Sequence, residues 1–221
     1  MKKAKVLSFK YLFHDFIRIT GIPGLLVFRP KKLYLNENAK KKIKGGTLLI
    51  ANHNGVFDPL YLILSIWYRR HHFVAMDELF EGKFRRFLFT YGFLCIPIHR
   101  ENMGVKSFRE IVSHLKSGEL VSMFPEGHVN QSDKSIDEFK SGMILMALKG
   151  NVPIVPVYIK KRTNIFQRLI IGIGEEVKID GEKGLLSLQE IDNMSKYLYE
   201  QEKKLEEMCN NYKKKRKDND K

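Results

Sequence analysis

Residues 47–51, T-L-L-I-A, form an unbroken apolar run between a glycine pair and the polar loop N-H-N. Such a short run between turn-forming residues is typical of a strand buried on both faces, because a strand with one face in water alternates polar and apolar positions. Asp58 and Pro59 follow the loop, and an N-cap aspartate before proline indicates the start of a helix reaching Tyr68. A buried strand, a loop and a helix in succession are the unit of a parallel sheet.

The same succession recurs along the chain. We predict further buried strands over 94–98, 120–124 and 152–159, a final strand pair over 169–173 and 177–179, and helices over 84–89, 105–116 and 136–149. Pro153 and Pro156 place their strand towards the edge of the sheet or at its start, because proline cannot donate a ladder hydrogen bond. The alternation predicts an α/β fold with a mostly parallel central sheet flanked by helices.

The basic charge of the chain is concentrated at its two ends. Residues 1–44 contain 12 Lys and Arg against 2 acidic residues, and residues 213–221 contain 6 against 2, whereas the remainder holds 21 of each. The net charge of +14 therefore comes entirely from the ends. This distribution predicts a surface that docks through its termini on anionic lipid or nucleic acid, rather than a basic catalytic groove.

Residues 6–19 have the pattern of a basic amphipathic helix with large aromatic side chains. The apolar positions at helical spacing are Phe9, Leu12, Phe13, Phe16 and Ile17. A short apolar patch over 25–28 and the basic residues Arg29, Lys31 and Lys32 follow. Two interpretations stay open: an anchor at the membrane interface, or a helix packed on the core with a solvated basic face.

The length of 221 residues suits one α/β core with helical additions. We predict a membrane-docking segment over 1–44, an α/β core over 45–185, and a C-terminal helix with a basic tail over 186–221. No secretory signal is expected, and the charge-free runs are shorter than the ~18 to 20 residues of a membrane span. Cys95 and Cys209 are far apart and lack metal-ligand spacing, so neither a disulfide nor a metal site is predicted.

His53 and Asp58 are the candidate reacting groups. Residues five apart cannot share a helix face, but a tight loop through Asn54 and Gly55 can fold the carboxylate back onto the imidazole. The carboxylate would then fix the tautomer of His53 and make its other ring nitrogen more basic. This is a base and its orienting group without a nearby nucleophile, which suits activation of a hydroxyl on the substrate.

Four sequence blocks resemble those of the glycerolipid acyltransferase superfamily, typified by 1-acyl-sn-glycerol-3-phosphate (lysophosphatidate) acyltransferases. N-H-N-G-V-F-D at 52–58 resembles that family's H-x-x-x-x-D motif, and G-F-L-C-I-P-I-H-R at 92–100 resembles its second block. F-P-E-G-H at 124–128 resembles its F-P-E-G-T-R block, and V-P-I-V-P-V at 152–157 resembles its fourth. The blocks occur in the family's order and cover about residues 46–160.

The resemblance implies transfer of an acyl group from acyl-CoA or acyl carrier protein to the hydroxyl of lysophosphatidate, a step of phospholipid biosynthesis. It implies His53 as general base, Asp58 as its orienting partner and Arg100 as a contact to the acceptor phosphate. It also implies Glu126 and Gly127 as part of the acceptor-binding loop. The acyl donor would be a substrate, and no cofactor is implied.

The same resemblance implies a peripheral enzyme at the cytoplasmic face of an anionic membrane, without a transmembrane helix. Another lysophospholipid or glycerolipid could replace lysophosphatidate, because His128 and Val129 stand where the family has Thr and Arg. A basic nucleic-acid-binding protein is the alternative from a different class, but the charge-neutral middle of the chain and the absence of a nucleic-acid-binding signature count against it. No nucleic acid is therefore expected as a partner.

Overall fold

The computed structural model describes residues 8–21, 23, 30–99, 104–130, 136–164, 167–179 and 186–219, with the backbone alone from 213 onwards. The helices in these ranges are α1 (Phe9–Thr20), α2 (Asp58–Ser65), α3 (Lys83–Phe87), α4 (Val105–Lys116), α5 (Gly142–Gly150) and α6 (Leu188–Asn219). The strands are β1 (Lys31–Tyr34), β2 (Thr47–Ala51), β3 (His71–Met76), β4 (Ile96–Ile98), β5 (Leu120–Met123), β6 (Ile154–Ile159) and β7 (Ile170–Ile173). The apolar patch predicted over 25–28 and Arg29 lie outside the described residues.

The strands form one sheet in the order β1-β7-β6-β2-β5-β3-β4. All neighbouring pairs are parallel except β6 and β7, so β7 and β1 run opposite to the other five strands. Every residue of β2 is buried, as its apolar run predicts. The mostly parallel sheet with flanking helices and a C-terminal helix confirms the predicted fold class.

Two strands were not predicted from the sequence. β1 contains two lysines, and β3 begins with His71 and His72, both of which are almost completely buried. The imidazole of His71 forms a hydrogen bond with Ser122 Oγ on the neighbouring β5 at 2.8 Å. These polar residues interrupt the apolar pattern by which strands are recognised. β1 belongs to the segment 1–44, predicted as a membrane-docking segment, and it pairs with β7 in the sheet.

The prediction that prolines place β6 near the sheet edge is wrong for Pro156. This strand lies between β2 and β7, and all six of its residues are buried. The carbonyl of Pro156 faces the β7 side and accepts a hydrogen bond from the N–H of Gly174 at 2.9 Å, one residue after β7 ends. A Cβ on Gly174 would lie 2.7 Å from Pro156 Cγ, so the glycine leaves room for the ring. Pro153 precedes the strand.

Some predicted boundaries differ from those observed. α5 begins at Gly142 rather than at 136, and Ile136 is fully buried in a non-helical stretch. The predicted strand over 177–179 is reduced to a single antiparallel bridge between Val177 and Ile154. The predicted helix over 84–89 is divided into α3 and a wider π-helical turn over Leu88–Gly92.

α1 packs against this π-helical turn through its polar and aromatic side chains. His14 Nδ1 forms a 2.6 Å hydrogen bond with the carbonyl of Gly92, and Phe13 contacts Phe87 edge-on. Asp15 binds Arg70, and Tyr11 donates a hydrogen bond to Glu119. The opposite face carries exposed apolar side chains at Phe9, Leu12, Phe16 and Ile19. The helix is therefore packed on the core, but its free face is apolar rather than basic.

Within the described ranges, no helix combines the length and the hydropathy that a bilayer crossing requires.

The long helix α6 packs on β6 and β7 and covers one face of these two strands. Gly172 in β7 permits the close approach, because a Cβ there would lie 2.9 Å from Cys209 Sγ and 3.2 Å from Leu205 Cβ. Both of these helix residues are fully buried.

We predict that Gly172→Val lowers the free energy of unfolding by about 1–3 kcal/mol, because the larger side chain overpacks this contact. Gly142→Val is the matched control, since no atom lies within 4 Å of a Cβ at that position. Urea unfolding followed by circular dichroism measures both. Equal midpoints for the two variants would contradict the packing argument.

Candidate active site

β2 and β5 run in the same direction, so the predicted site residues that follow them lie together at the carboxyl-terminal ends of the strands, which form one edge of the sheet. His53 follows β2, and Glu126 follows β5, the neighbour of β2. The side chain of Asn52 fastens this edge: its Oδ1 accepts a hydrogen bond from the N–H of Ile159 at 2.7 Å, and its Nδ2 donates to the carbonyl of Ile159 at 3.1 Å. The ends of β2 and β6 are thereby held together.

The loop between β2 and α2 folds Asp58 onto His53, as the sequence predicts. Asp58 Oδ2 lies 2.9 Å from His53 Nδ1. The same oxygen accepts hydrogen bonds from the backbone N–H groups of Asn54 at 2.6 Å and Gly55 at 2.8 Å. The helix begins at Asp58 itself, so the carboxylate binds the preceding loop rather than capping the first turn of α2.

This geometry fixes the tautomer of the imidazole. An ionised carboxylate only accepts hydrogen bonds, so Nδ1 of His53 carries the proton and Nε2 is the nitrogen that can accept one. Asp58 is buried, whereas the side chain of His53 is 16% exposed. The ring of His53 stacks on Phe124 with 4.1 Å between centroids. The ring is therefore held on one face by Phe124 and at one nitrogen by Asp58.

Glu126 contacts the backbone of His53 rather than facing solvent. Its Oε1 accepts a hydrogen bond from the His53 N–H at 3.0 Å, and the residue is 2% exposed. Burial raises the pKa of Glu126, and hydrogen bonds from the backbone N–H groups of His53 and Asp137 oppose that rise. The carbonyl of His53 accepts from the N–H of Asn130 at 2.7 Å. Both backbone polar groups of His53 are thus held by the segment that follows β5.

Gly127 occupies a turn that requires glycine. Its φ is +76°, a conformation that side chains rarely adopt, and its N–H donates to the carbonyl of Phe124. A Cβ at this position would lie 2.8 Å from Nζ of Lys140, so this ammonium group lies over the turn. Sequence reasoning did not single out Lys140, because a lysine in a polar stretch gives no pattern that separates it from a surface charge.

Arg100, the predicted phosphate contact, lies outside the described residues. The preceding strand β4 ends at Ile98, on the same edge of the sheet as His53 and Glu126. His99 forms an ion pair with Asp77. The structure therefore brings together His53, Asp58, Glu126 and Gly127, and it leaves the position of Arg100 as a prediction.

The loop that carries His53 also presents an apolar rim. Val56 is 87% exposed and Phe57 is 62% exposed, and both lie between the histidine and the aspartate in the chain. The ring of Phe57 lies near Tyr61, whose hydroxyl accepts a hydrogen bond from Arg162. Large exposed apolar side chains beside the candidate catalytic histidine are typical of a surface that contacts an apolar substrate or partner.

The opposite edge of the sheet holds a second polar cluster, formed by His72, His114 and Glu119, whose ligand atoms lie within 4.8 Å of one another. These residue types could bind a metal ion. The cluster is already internally bonded, because Glu119 pairs with His114 and accepts from Tyr11. A cavity of about 840 Å³ adjoins it and contains none of the residues around His53.

Comparison with known proteins identifies the family. The family model described as Acyltransferase matches residues 32–160, more than half of the chain. The chain is 31% identical over 125 residues to a 1-acyl-sn-glycerol-3-phosphate acyltransferase of Bacillus subtilis (strain 168), over 57% of this chain and 60% of that protein. It is 33% identical over 129 residues to a probable 1-acyl-sn-glycerol-3-phosphate acyltransferase of Mycoplasma pneumoniae, over 56% of this chain and 46% of that protein.

A solved structure shares the fold. The crystal structure of the 1-acyl-sn-glycerophosphate (LPA) acyltransferase PlsC from Thermotoga maritima aligns with a TM-score of 0.64 and 24% identity, over 94% of this chain and 84% of that chain. The chain spans about half to three fifths of the length of the two curated relatives. The matched region, residues 32–160, contains His53, Asp58, Glu126 and Gly127, and the chain belongs to the acyltransferase family.

Proposed function

We propose that this chain transfers a fatty acyl group from acyl-CoA or acyl carrier protein to the free hydroxyl of lysophosphatidate, giving phosphatidate. The observation that carries the proposal is an imidazole whose Nδ1 is bound by the buried carboxylate of Asp58, which leaves Nε2 as the nitrogen that can take a proton. The acceptor class follows the relatives from Bacillus subtilis and Mycoplasma pneumoniae, a 1-acyl-sn-glycerol-3-phosphate acyltransferase and a probable one. The chemistry needs only side chains and the two substrates.

In the proposed reaction His53 Nε2 removes the proton from the acceptor hydroxyl while its oxygen attacks the thioester carbonyl. A carbon–oxygen bond forms, the carbon–sulfur bond breaks, and the imidazolium returns the proton to the leaving thiolate. The charge of Asp58 stabilises the imidazolium formed during the attack. Because both backbone groups of His53 are bonded to the segment after β5, the base is oriented before substrate arrives.

The acceptor phosphate requires a cation beside this base. Arg100 keeps its predicted role as a planar donor to the phosphate. Lys140 is a second candidate, because its ammonium group lies over the Gly127 turn, next to Glu126. A lysine there would compensate for Val129, which stands where the family has arginine. The same chemistry would suit another lysophospholipid. The assay of acyl transfer should therefore include competition between lysophosphatidate and lysophosphatidylglycerol as acceptors.

We predict that His53→Ala lowers acyl transfer to lysophosphatidate at least ~100-fold, the lower range for loss of a general base. His114→Ala is the matched control, because His114 also binds, through Nδ1, a carboxylate five residues later, at the other edge of the sheet. Transfer of radiolabelled acyl groups from acyl-CoA and from acyl carrier protein is measured. Full activity of the His53 variant, or equal losses in both, would overturn the assignment.

Asp58→Asn and Asp58→Ala separate the two roles of the carboxylate. We predict that both lower kcat, because neither stabilises the imidazolium. Only Asp58→Ala should also lower the free energy of unfolding, by about 1–3 kcal/mol, because it leaves the N–H groups of Asn54 and Gly55 without an acceptor. Urea unfolding and initial rates are compared. An unchanged rate in Asp58→Asn would contradict the charge argument.

We also propose that the chain works at an anionic membrane surface, with the α1 face described above as the contact. Four apolar side chains are exposed there, and basic residues concentrate in the same segment of the sequence. Burial of such side chains at an interface and attraction of basic residues to anionic lipid both favour binding.

We predict that Phe9→Ser with Phe16→Ser weakens binding to phosphatidylglycerol-containing vesicles about 10-fold or more, because two aromatic side chains leave the interface. Val105→Ser with Leu188→Ser is the control, since it removes two apolar side chains elsewhere that are at least as exposed as Phe9 and Phe16. Vesicle sedimentation at two salt concentrations measures binding. Binding to oligonucleotides without affinity for vesicles would support the nucleic-acid alternative instead.

A further inference from the structure

A second glutamate is buried behind the candidate site, on the C-terminal helix. Glu202 of α6 is completely buried, and neither of its carboxyl oxygens has a hydrogen-bond partner among the described residues. It lies on the buried face of the helix, one turn from Leu198 and Leu205, which are also fully buried. An isolated charge at such a position would be very unfavourable. The residue lies outside the matched family region 32–160.

Glu126 lies near Glu202, because the segment whose Asp137 N–H binds Glu126 packs on the same part of α6: Ile136 clusters with Leu205, and Phe139 contacts Tyr199 edge-on. Oε1 of Glu126 binds the N–H of His53, whereas Oε2 is buried and has no partner among the described residues. The charge of Glu126 acts on Glu202 strongly enough to raise its pKa, in addition to the larger effect of burial. Glu202 also lies beside the N–H of Asn52, in a geometry too poor to count as a hydrogen bond. Both carboxyl groups therefore lie near the backbone that follows β2, Glu126 at His53 and Glu202 at Asn52.

The surroundings decide which carboxyl group holds a proton. Glu126 accepts hydrogen bonds from the backbone N–H groups of His53 and Asp137, which favour its ionised form. Glu202 receives no comparable hydrogen bond. Within the part of the chain that the structure describes, the other charged groups near the pair are Lys203 and Glu206 on α6, which bind each other, and Asp137 and His128 beside Glu126. Neither Lys203 nor His128 forms an ion pair with Glu202.

We propose that Glu202 is a positioning residue whose protonated carboxyl group donates a hydrogen bond to Oε2 of Glu126 and so holds the backbone of His53 in its reactive position. Two ionised carboxylates cannot bond to each other, so one proton between them satisfies an oxygen on each. Glu126 then keeps its charge and its bond to the His53 N–H. The kinetic part of this proposal rests on the proposed acyl transfer, whereas the shared proton does not.

Infrared difference spectroscopy tests the shared proton without any assay of activity. The wild type at neutral pH should show the C=O stretch of a protonated carboxyl group, and Glu202→Gln should lose it. Glu126→Gln should retain the band but shift it, because the acceptor of the Glu202 hydrogen bond has changed. Absence of the band from the wild type, or no shift in Glu126→Gln, would overturn the carboxyl pair.

Kinetics test whether the pair positions the base. Glu202→Gln keeps a donor for Glu126 and should retain kcat within a few-fold, whereas Glu202→Met removes it and should lower kcat about 10-fold or more with little change in KM. Glu207→Gln and Glu207→Met, at an exposed position of the same helix, should change neither parameter.

The outcomes separate this proposal from the proposed function and from a merely structural role. If wild-type protein lacks acyl transfer but shows the carboxyl band, the proposed function fails and the pair stands. If Glu202→Met keeps full kcat while the band is present, the positioning role fails. Urea unfolding should give Glu202→Met a lower midpoint than Glu202→Gln, because Oε2 of Glu126 loses its donor; a loss of kcat that only follows the fraction of protein unfolded under assay conditions would favour a merely structural role.

Discussion

The loop after β2 depends on carboxylates that bind its backbone N–H groups. Asp58 binds the N–H groups of Asn54 and Gly55, and Glu126 binds that of His53. Buried N–H groups need acceptors, and carboxylates satisfy them with stronger hydrogen bonds than neutral acceptors do. The acceptors come from α2 and from the segment after β5, with Glu202 of α6 lying behind. The orientation of His53 is therefore a property of the tertiary structure, although its partner Asp58 is close in sequence.

This dependence explains which parts of the site the sequence could predict. The pair of His53 and Asp58 was predictable, because a strand end, a tight loop and a helix start bring residues five apart together by local geometry. The burial of Glu126 was not predictable, since its hydrogen bond to His53 requires β2 and β5 to be neighbours. Glu202 was not predicted, because on a charged helix an acid that faces inward differs from an exposed one only in its spacing from apolar residues such as Leu198 and Leu205.

The fold shows the same limit. Strands composed mainly of apolar residues, such as β2 and β5, were predicted, whereas β1 and β3 begin with lysines or histidines that mask the pattern. The position of β6 between β2 and β7 could not be predicted from its own residues. Pro156 would normally exclude a strand from the interior, but Gly174, beyond the end of β7, leaves space for the ring. The compensating glycine follows a strand that the sequence of β6 does not identify as its neighbour.

The exposed apolar side chains beside His53 have a physical consequence for the proposed reaction. Moving a lipid chain into water costs about 0.8 kcal/mol for each CH₂ group, so an enzyme that leaves the chain in the bilayer avoids most of that cost. His53 lies beside the exposed Val56 and Phe57, and the cavity of about 840 Å³ lies at the opposite edge of the sheet. If the proposed membrane contact holds, the apolar rim would meet the acyl chains, and discrimination between acceptors would fall to the polar groups around the base. The head group, rather than the acyl chain, would then be the part of the acceptor that the residues after β5 can select.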